Sequence, residues 1–258
     1  MPTQLALQMY TLRESCKTPT DIATTLSRVR RIGYEAVQLS GLGPIDPAEL
    51  VRILCGEGLT CCATHQPIDK LESEPARVLD EHAALGCRYT AIGGYFGKPY
   101  SADGWRGFVA RYNALADRYA GSGLRLGYHN HSHELMRFAE FGGATALEML
   151  ARHLKPDIWM ELDTYWVQHG GGDPAHWIDA VAGRIPCVHL KDMAVTGVTE
   201  SKVVMAEVGE GNLNWPAILA ACRRAGVEWY IVEQDTCQRD PFESVAISLR
   251  NARAMELA

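Results

Sequence analysis

Acidic, imidazole and amine side chains recur in pairs at the ends of short apolar segments in the second half of the chain. The pairs are His129 and His131, Glu161 and Asp163, His189 and Lys191, and Glu233 and Asp235. The members of each pair are two residues apart, so on a β-strand they point to the same face. Carboxylates and imidazoles that converge on one point would repel or desolvate one another, and a divalent cation resolves this conflict. The pattern therefore predicts a site with oxygen and nitrogen ligands for Mn²⁺, Mg²⁺, Co²⁺ or Zn²⁺.

Strand-like and helix-like segments alternate along the whole chain and must position these pairs. The predicted strands are residues 5–11, 36–39, 60–65, 89–92, 124–131, 158–163, 186–191 and 229–233. The predicted helices are residues 21–31, 48–55, 76–85, 105–120, 144–153, 175–181, 216–225 and 242–255. Aspartate–proline pairs at 46–47, 173–174 and 240–241 are typical of helix starts, and Gly33, Gly86 and Gly226 are typical of helix ends.

The strand and helix units average about 32 residues, which suits one barrel of the usual length of about 250 residues. We therefore predict an α/β fold, a single (β/α)8 TIM barrel, in which residues 1–258 form one domain. A doubly wound open sheet is the alternative, and it usually carries a glycine fingerprint after its first strand. Here the first predicted strand runs into Tyr10-Thr11-Leu12-Arg13-Glu14, which contains no glycine. In a barrel of this kind the functional groups lie at the C-terminal ends of the strands, where the polar pairs stand.

Composition and charge argue against several classes of partner. The formal net charge is −6 and the isoelectric point is about 5.8, so no basic field is available to hold a nucleic acid. No apolar run reaches the ~18 residues that would suggest a membrane helix. The eight cysteines form no Cys-x-x-Cys pair, and the first four residues lack the features of a signal peptide. These observations predict a reduced protein of the cytoplasm.

Five short segments resemble the xylose isomerase-like barrel superfamily. They are residues 162–166 (LDTYW), 171–174 (GGDP), 188–192 (VHLKD), 208–211 (VGEG) and 232–235 (VEQD). That superfamily includes sugar phosphate isomerases and epimerases, inosose dehydratase and endonuclease IV. The resemblance extends over essentially the whole chain and is most specific between residues 124 and 240.

The resemblance implies one bound divalent metal ion, with Mn²⁺ as the first choice and Mg²⁺, Co²⁺ or Zn²⁺ as alternatives. Family members hold the metal through a glutamate, an aspartate, a histidine and a glutamate on their last four barrel strands. The last three positions correspond to Asp163, His189 and Glu233 of this chain. The fifth strand departs from the pattern, because His129 stands where a glutamate is expected and Glu134 follows five residues later. Either residue completes the predicted ligand set, with His129 placed first.

The implied activity is that of a sugar isomerase or epimerase that acts on a ketose or keto-sugar. The shared first step is abstraction of a proton next to a carbonyl, which gives a metal-stabilised enediolate. Glu233 is the predicted base, and the second acid or base is Glu134, His131 or Lys191. Gln8, Glu35, His65 and Trp166 are predicted to contact a neutral sugar or cyclitol.

Three alternatives accompany this prediction. The closest is a dehydratase or lyase acting on a keto-cyclitol or a 3-keto-glycoside, because the paired histidines and the VHLKD segment also resemble inosose dehydratase. An enzyme of the endonuclease IV type is disfavoured, since too few metal ligands stand on the second and third strands and no basic track is present. A non-catalytic barrel would bind no metal. The resemblance also suggests assembly into homo-oligomers.

Overall fold

Eight parallel strands close into a barrel in the computed structural model, which describes residues 4–97 and 100–255. The first seven barrel strands are β1 (Gln4–Gln8), β2 (Ala36–Leu39), β3 (Thr60–His65), β4 (Tyr89–Ile92), β5 (Arg125–His129), β6 (Trp159–Asp163) and β7 (Cys187–Leu190). Two further strands, β8 (Asp192–Thr196) and β9 (Lys202–Ala206), form an antiparallel hairpin outside the barrel. The last barrel strand, β10 (Trp229–Val232), pairs with both β7 and β1 and closes the ring.

Helices follow the barrel strands and surround them. They are α1 (Pro19–Ile32), α2 (Pro47–Glu57), α3 (Ile68–Ser73), α4 (Pro75–Leu85), α5 (Ala102–Tyr119), α6 (Ala146–His153), α7 (Thr164–His169), α8 (Pro174–Ala180), α9 (Trp215–Ala225) and α10 (Pro241–Ala254). The predicted (β/α)8 TIM barrel is confirmed. Its extension over residues 1–258 as one domain stays a prediction, because residues 1–3, 98–99 and 256–258 lie outside the described residues. In the part of the chain that the structure describes, no helix is both long and apolar enough to cross a membrane.

The local signals for helix ends are confirmed by the structure. Asp46, Asp173 and Asp240 each accept backbone N–H hydrogen bonds at the start of a helix. Gly33 and Gly226 end α1 and α9 with φ angles of 118° and 76°, a left-handed conformation that glycine adopts without strain. These caps fix where each helix begins and ends, and therefore where the next strand enters the barrel.

Several details differ from the predictions. The first strand ends at Gln8 rather than Thr11, because a 3₁₀ helix starts at Met9 and Gln8 caps it. The fifth strand ends at His129 rather than His131. The β8–β9 hairpin was not predicted, since its sequence does not separate it from a loop. The buried carboxylate of Asp192 anchors this region by accepting from the backbone N–H groups of residues 209, 211 and 213.

The barrel interior is divided into two halves along its axis. The N-terminal half is filled by an apolar plug, a buried cluster made of Ala6, Ala36, Cys62, Ala63, Tyr89, Ala91, Trp159, Cys187 and Ile231. Trp159 fits there because Gly127 on the neighbouring strand has no side chain: a Cβ at that position would lie 2.2 Å from the indole ring. The C-terminal half holds the polar side chains.

Candidate metal centre and active site

Four side chains meet at the C-terminal end of the barrel. His129 and Asp163 end β5 and β6, His189 lies within β7, and Glu233 directly follows β10. The pairing of β6 with β7 sets Asp163 opposite His189. One potential ligand atom from each of the four side chains lies within 4.8 Å of the others, and all four residues are buried. The structure therefore brings together the set His129, Asp163, His189 and Glu233, with His129 rather than Glu134 in the position contributed by the fifth strand.

The polar atoms of this cluster fit a divalent cation. Among the described residues, no hydrogen-bond partner is found for either ring nitrogen of His129, for Asp163 Oδ2, for His189 Nδ1 or for Glu233 Oε2. His189 Nδ1 lies 2.8 Å from Glu233 Oε2, and His129 Nε2 lies 3.4 Å from Asp163 Oδ2. Buried polar atoms are nearly always hydrogen-bonded, so the ring nitrogens of His129 and His189 that have no partner here indicate a position for a ligand. Two carboxylate oxygens and two imidazoles form a suitable donor set for such a cation.

Lys191 supplies positive charge beside this cluster. Its Nζ lies 2.8 Å from both Asp163 Oδ2 and Glu233 Oε2, and it donates a hydrogen bond of 2.9 Å to Asp235 Oδ2. Burial opposes the charged form, but the three carboxylates outweigh it and raise the pKa of Lys191 above its usual range. The side chain is fully buried. The structure therefore favours an ammonium ion that balances the carboxylates, rather than the base that the sequence allowed.

The electrostatics of the cluster keep its carboxylates ionised. Burial would raise the pKa of Asp163 and of Glu233, but Lys191 and the neighbouring histidines lower both well below the usual range. Burial would lower the pKa of His189, yet the adjacent carboxylates, Glu161 first, raise it. Burial and the proximity of His189 lower the pKa of His129. The centre therefore attracts positive charge.

A second layer of polar side chains lies directly beneath the centre. Glu161 accepts from Gln38 Nε2 at 2.7 Å and contacts His65 Nε2 at 2.5 Å. Gln38 Oε1 lies 2.6 Å from His189 Nε2 and accepts from Gln8 Nε2 at 2.8 Å. This layer separates the candidate centre from the apolar plug and touches one of its four members directly.

A cavity of about 770 Å³ opens above the centre. Glu233 and His129 form part of its floor, and His65, His131, Trp166 and Asp235 form part of its wall. Two aromatic side chains stand at the mouth, Tyr10 with 37% and Phe96 with 55% of its surface exposed. The volume is within the range of about 300–1,000 Å³ that is typical of small-molecule sites.

Apart from Glu134, the predicted catalytic and substrate-binding residues divide into three groups. Glu233, His131, His65 and Trp166 line the cavity. Gln8 and Lys191 are fully buried beneath or beside the centre. Glu35 lies apart from both, since it precedes β2 at the opposite end of the barrel, has 76% of its side chain exposed and pairs with Arg30. The structure therefore does not bring Glu35 to the site.

Glu134 is also separated from the cluster, although it is fully buried. Its Oε1 accepts from the Tyr128 hydroxyl at 2.6 Å, and its Oε2 accepts from the backbone N–H of His131 at 2.9 Å. Burial raises the pKa of this carboxyl group. Glu134 therefore holds His131 in place and does not complete the ligand set.

Sequence reasoning assigned Gln38 no site role, and it named Glu161 and Asp235 only as members of strand-end pairs. Glu161 stands two residues before Asp163 on the same face of β6, so the alternation of side chains along the strand could have predicted that it points toward the site. No comparable signal singled out Gln38, because an uncharged amide on a short strand is common.

Comparison with known proteins identifies the family. The family model described as a xylose isomerase-like TIM barrel matches residues 26–254. The chain belongs to this family. The resemblance seen in the sequence is therefore confirmed, and the fold agrees with it.

Individual relatives are distant. The rhizopine catabolism protein MocC of Rhizobium meliloti is 24% identical over 93% of this chain and 83% of its own length. The inosose dehydratase of Geobacillus thermodenitrificans is 26% identical, over 56% of this chain and 52% of its own length. A crystal structure of a sugar phosphate isomerase/epimerase from Parabacteroides distasonis superposes with a TM-score of 0.82 at 22% identity, covering 100% of this chain and 96% of that one. Its likeness shows the fold alone.

Proposed function

We propose that this protein is a divalent-metal-dependent sugar isomerase or epimerase that removes a proton next to the carbonyl of a ketose or keto-sugar. The observation that carries the proposal is the buried donor set of His129, Asp163, His189 and Glu233, whose facing atoms lack hydrogen-bond partners within the described residues. A divalent cation held there, with Mn²⁺ as the first choice, would supply Lewis-acid stabilisation of the substrate oxygens.

Glu233 is the proposed base because it is the ionised carboxylate of the donor set that lines the cavity. Lys191 lies 2.8 Å from Glu233 Oε2 and balances its charge. A sugar carbon above Glu233 would present its proton to this carboxylate. General base catalysis of this kind contributes about 10²–10⁴-fold to a rate.

His131 is the proposed second acid or base. It lines the cavity, and its Nδ1 has no hydrogen-bond partner within the described part of the chain. Burial, His129 and Lys191 lower the pKa of His131 to about 2, so its imidazole is neutral. The backbone N–H bond to Glu134 fixes its position. Its neutral imidazole can accept a hydrogen bond from a substrate hydroxyl, and this contact is the proposed route for moving the hydroxyl proton.

The wall of the cavity suits a sugar or cyclitol. Trp166 lines the cavity next to His131, with 5.2 Å between ring centroids, and Tyr10 and Phe96 stand at the mouth. Aromatic faces pack against the C–H faces of sugar rings and leave the hydroxyls free for hydrogen bonds. His65, at 12% side-chain exposure, offers one such polar contact.

Dehydration of a keto-cyclitol or a 3-keto-glycoside is the second candidate function. The observation that favours it is the imidazole of His129 in place of a fifth-strand carboxylate, which leaves Glu233 and His131 as unlike groups on the cavity lining. Unlike groups suit a reaction in which the carboxylate takes the proton and passes it to the departing hydroxyl, which leaves as water, while the neutral imidazole hydrogen-bonds that hydroxyl. The likeness to an inosose dehydratase supports the same candidate.

The test is a substrate panel in D₂O with Mn²⁺-loaded protein. The panel contains free ketoses, an inosose and a 3-keto-glucoside, and the products are read by mass spectrometry and NMR. We expect an isomer that carries deuterium at the carbon next to the carbonyl if the protein is an isomerase or epimerase. For a lyase we expect a product that has lost the hydrogen of that carbon together with water or an aglycone. Glu35→Gln, a change at the opposite end of the barrel, is the control and should keep full activity. A metal-loaded protein that neither exchanges nor removes this hydrogen in any of these substrates would contradict the proposal.

Cytoplasmic location, homo-oligomeric assembly and the absence of nucleic-acid and membrane partners stay predictions from the sequence. They do not bear on the chemistry proposed for the cavity.

A further inference from the structure

A directed series of hydrogen bonds runs beneath the candidate metal centre. The backbone N–H of Tyr10 donates to Gln8 Oε1 at 3.3 Å, and Gln8 Nε2 donates to Gln38 Oε1 at 2.8 Å. Gln38 Nε2 in turn donates to Glu161 Oε1 at 2.7 Å. The side chains of Gln8, Gln38 and Glu161 are fully buried.

Both ends of the series fix its direction. A backbone N–H can only donate, and the oxygens of an ionised carboxylate can only accept. If the Gln38 amide were turned over, its oxygen would face an oxygen of Glu161 and its NH₂ group would face the NH₂ group of Gln8. Burying such unsatisfied groups costs about 1–3 kcal/mol each. The Gln38 oxygen therefore faces His189.

This orientation determines which nitrogen of His189 carries hydrogen. His189 Nε2 lies 2.6 Å from Gln38 Oε1, which has no hydrogen to give, so Nε2 must be the donor. A histidine that binds a cation is a neutral imidazole with one N–H, so with hydrogen on Nε2 the lone pair of Nδ1 is free for the cation. Nδ1 lies 2.8 Å from Glu233 Oε2 and 3.7 Å from Asp163 Oδ2, on the side of the candidate centre.

We propose that Gln38 and Glu161 are positioning residues that hold His189 in the tautomer whose Nδ1 binds the divalent cation. The inference rests on the proposed function, because it assumes a cation at this centre. Groups that orient a ligating histidine typically change metal affinity by about 10–100-fold when they are replaced. Gln8, predicted from the sequence to contact substrate, is assigned here to the same series.

Glu161→Gln tests the inference with a change of almost no volume. If the new amide keeps its oxygen toward His65, its NH₂ group faces Gln38 and makes that amide turn over. The Gln38 NH₂ group would then face His189 Nε2 and move the imidazole hydrogen to Nδ1. We expect Mn²⁺ affinity, measured by calorimetric titration, to fall by about 10–100-fold.

The double variant Gln38→Glu with Glu161→Gln is the rescue. It exchanges the two functional groups, keeps the net charge and again presents an acceptor oxygen to His189 Nε2 and to Gln8. We expect its Mn²⁺ affinity to return to within about threefold of the wild-type value, well above the single variant. Glu35→Gln, the same chemical change at the exposed end of the barrel, is the control and should bind Mn²⁺ like the wild type.

The tautomer itself is read by NMR of ¹⁵N-histidine protein loaded with Zn²⁺, which is diamagnetic. We expect hydrogen on Nε2 of His189 in the wild type and in the double variant.

Circular dichroism checks that each variant folds. If Glu161→Gln does not fold, Gln38→Met replaces it, because this change removes both the amide donor and the amide acceptor. The Mn²⁺ affinity of Gln38→Met should fall by a similar factor. Wild-type affinity in the single variant, or a double variant no better than the single one, would overturn the inference. A wild-type protein that binds no cation would instead overturn the proposed function on which it rests.

Discussion

The two halves of the barrel interior are built from the same strands and have opposite character. The N-terminal half contains the apolar plug, whose nine members are at most 4% exposed. The C-terminal half contains charged and amide side chains that are equally buried, at most 5% exposed; they are Gln8, Gln38, His129, Glu161, Asp163, His189, Lys191 and Glu233. The strand β6, for example, supplies Trp159 to the plug and Glu161 and Asp163 to the polar half.

The comparison shows how one scaffold separates stability from chemistry. Burial of apolar groups stabilises the fold, whereas burial of polar groups costs free energy unless each has a partner. In the polar half, Gln8, Gln38 and Glu161 satisfy one another, while each of the four members of the candidate centre has at least one atom without a hydrogen-bond partner among the described residues. A fold tolerates such atoms where a ligand provides the missing partner.

The single substitution with the largest expected effect on turnover lies in the polar half. Glu233→Gln removes the proposed base with almost no change in volume. We expect turnover to fall by at least about 10³-fold, because a general base contributes about 10²–10⁴-fold and this residue also belongs to the donor set. Steady-state assays on the substrate identified in D₂O measure this, and circular dichroism should show an intact fold. Full activity of this variant would remove Glu233 from the proposed role.

Gly127→Ala tests the plug. The added methyl group would lie 2.2 Å from the Trp159 ring, whose Nε1 is also held by a hydrogen bond to the Arg125 carbonyl. We expect the free energy of unfolding in urea to fall by about 3 kcal/mol through overpacking. Mn²⁺ bound per folded molecule should stay unchanged.

Gly107→Ala is the matched control for that change. Gly107 lies in α5, and a methyl group added there would have no atom of another described residue outside its own helix turn within 4 Å. Because alanine is the better helix former, this variant should gain about 0.5–1 kcal/mol. If both variants changed stability equally, the plug would not be as tightly packed as the comparison requires.

Acidification should destabilise the metal-free protein through His131 in the polar half. The pKa of His131 is lowered to about 2 by burial, His129 and Lys191, whereas a histidine of the unfolded chain has a pKa of about 6.5. The unfolded state therefore takes up a proton that the folded state does not, and stability is lost as the pH falls below about 6.5, by about 1.4 kcal/mol per pH unit.

His131→Gln should reduce that slope by about 1.4 kcal/mol per pH unit in urea titrations between about pH 6 and about pH 4. His153→Gln, a change at an exposed imidazole after the barrel's fifth strand, is the control and should keep the wild-type slope. An unchanged slope in His131→Gln would contradict the environment assigned to His131.

The repeating pattern of strands and capped helices was sufficient to predict the barrel, since each unit carries its own local signals. The two-residue period also predicted that Asp163, His189 and Glu233 share the interior. Side-chain partners could not be predicted in the same way. Glu134 and Glu35 are both glutamates beside strands, yet one is bound by Tyr128 and the other lies at the opposite end of the barrel.

The position of each glutamate relative to its strand explains why Glu35 and Glu134 differ. A carboxylate that precedes a barrel strand lies at the N-terminal end of the barrel, whereas one that follows a strand lies at the C-terminal end. The proposed tautomer of His189 cannot be predicted from the sequence, because it depends on contacts between β1, β2, β6 and β7 that form only when the barrel closes.

The central claim is that His129, Asp163, His189 and Glu233 bind one divalent cation. The most direct measurement is the metal content of protein that has been treated with a chelator, reloaded with Mn²⁺ and desalted, compared with Asp163→Asn. We predict about one Mn²⁺ per chain in the wild type and at least about tenfold weaker binding in the variant, because it loses an anionic oxygen ligand. A wild-type chain that retains no cation, or an Asp163→Asn chain that binds Mn²⁺ equally tightly, would contradict the account.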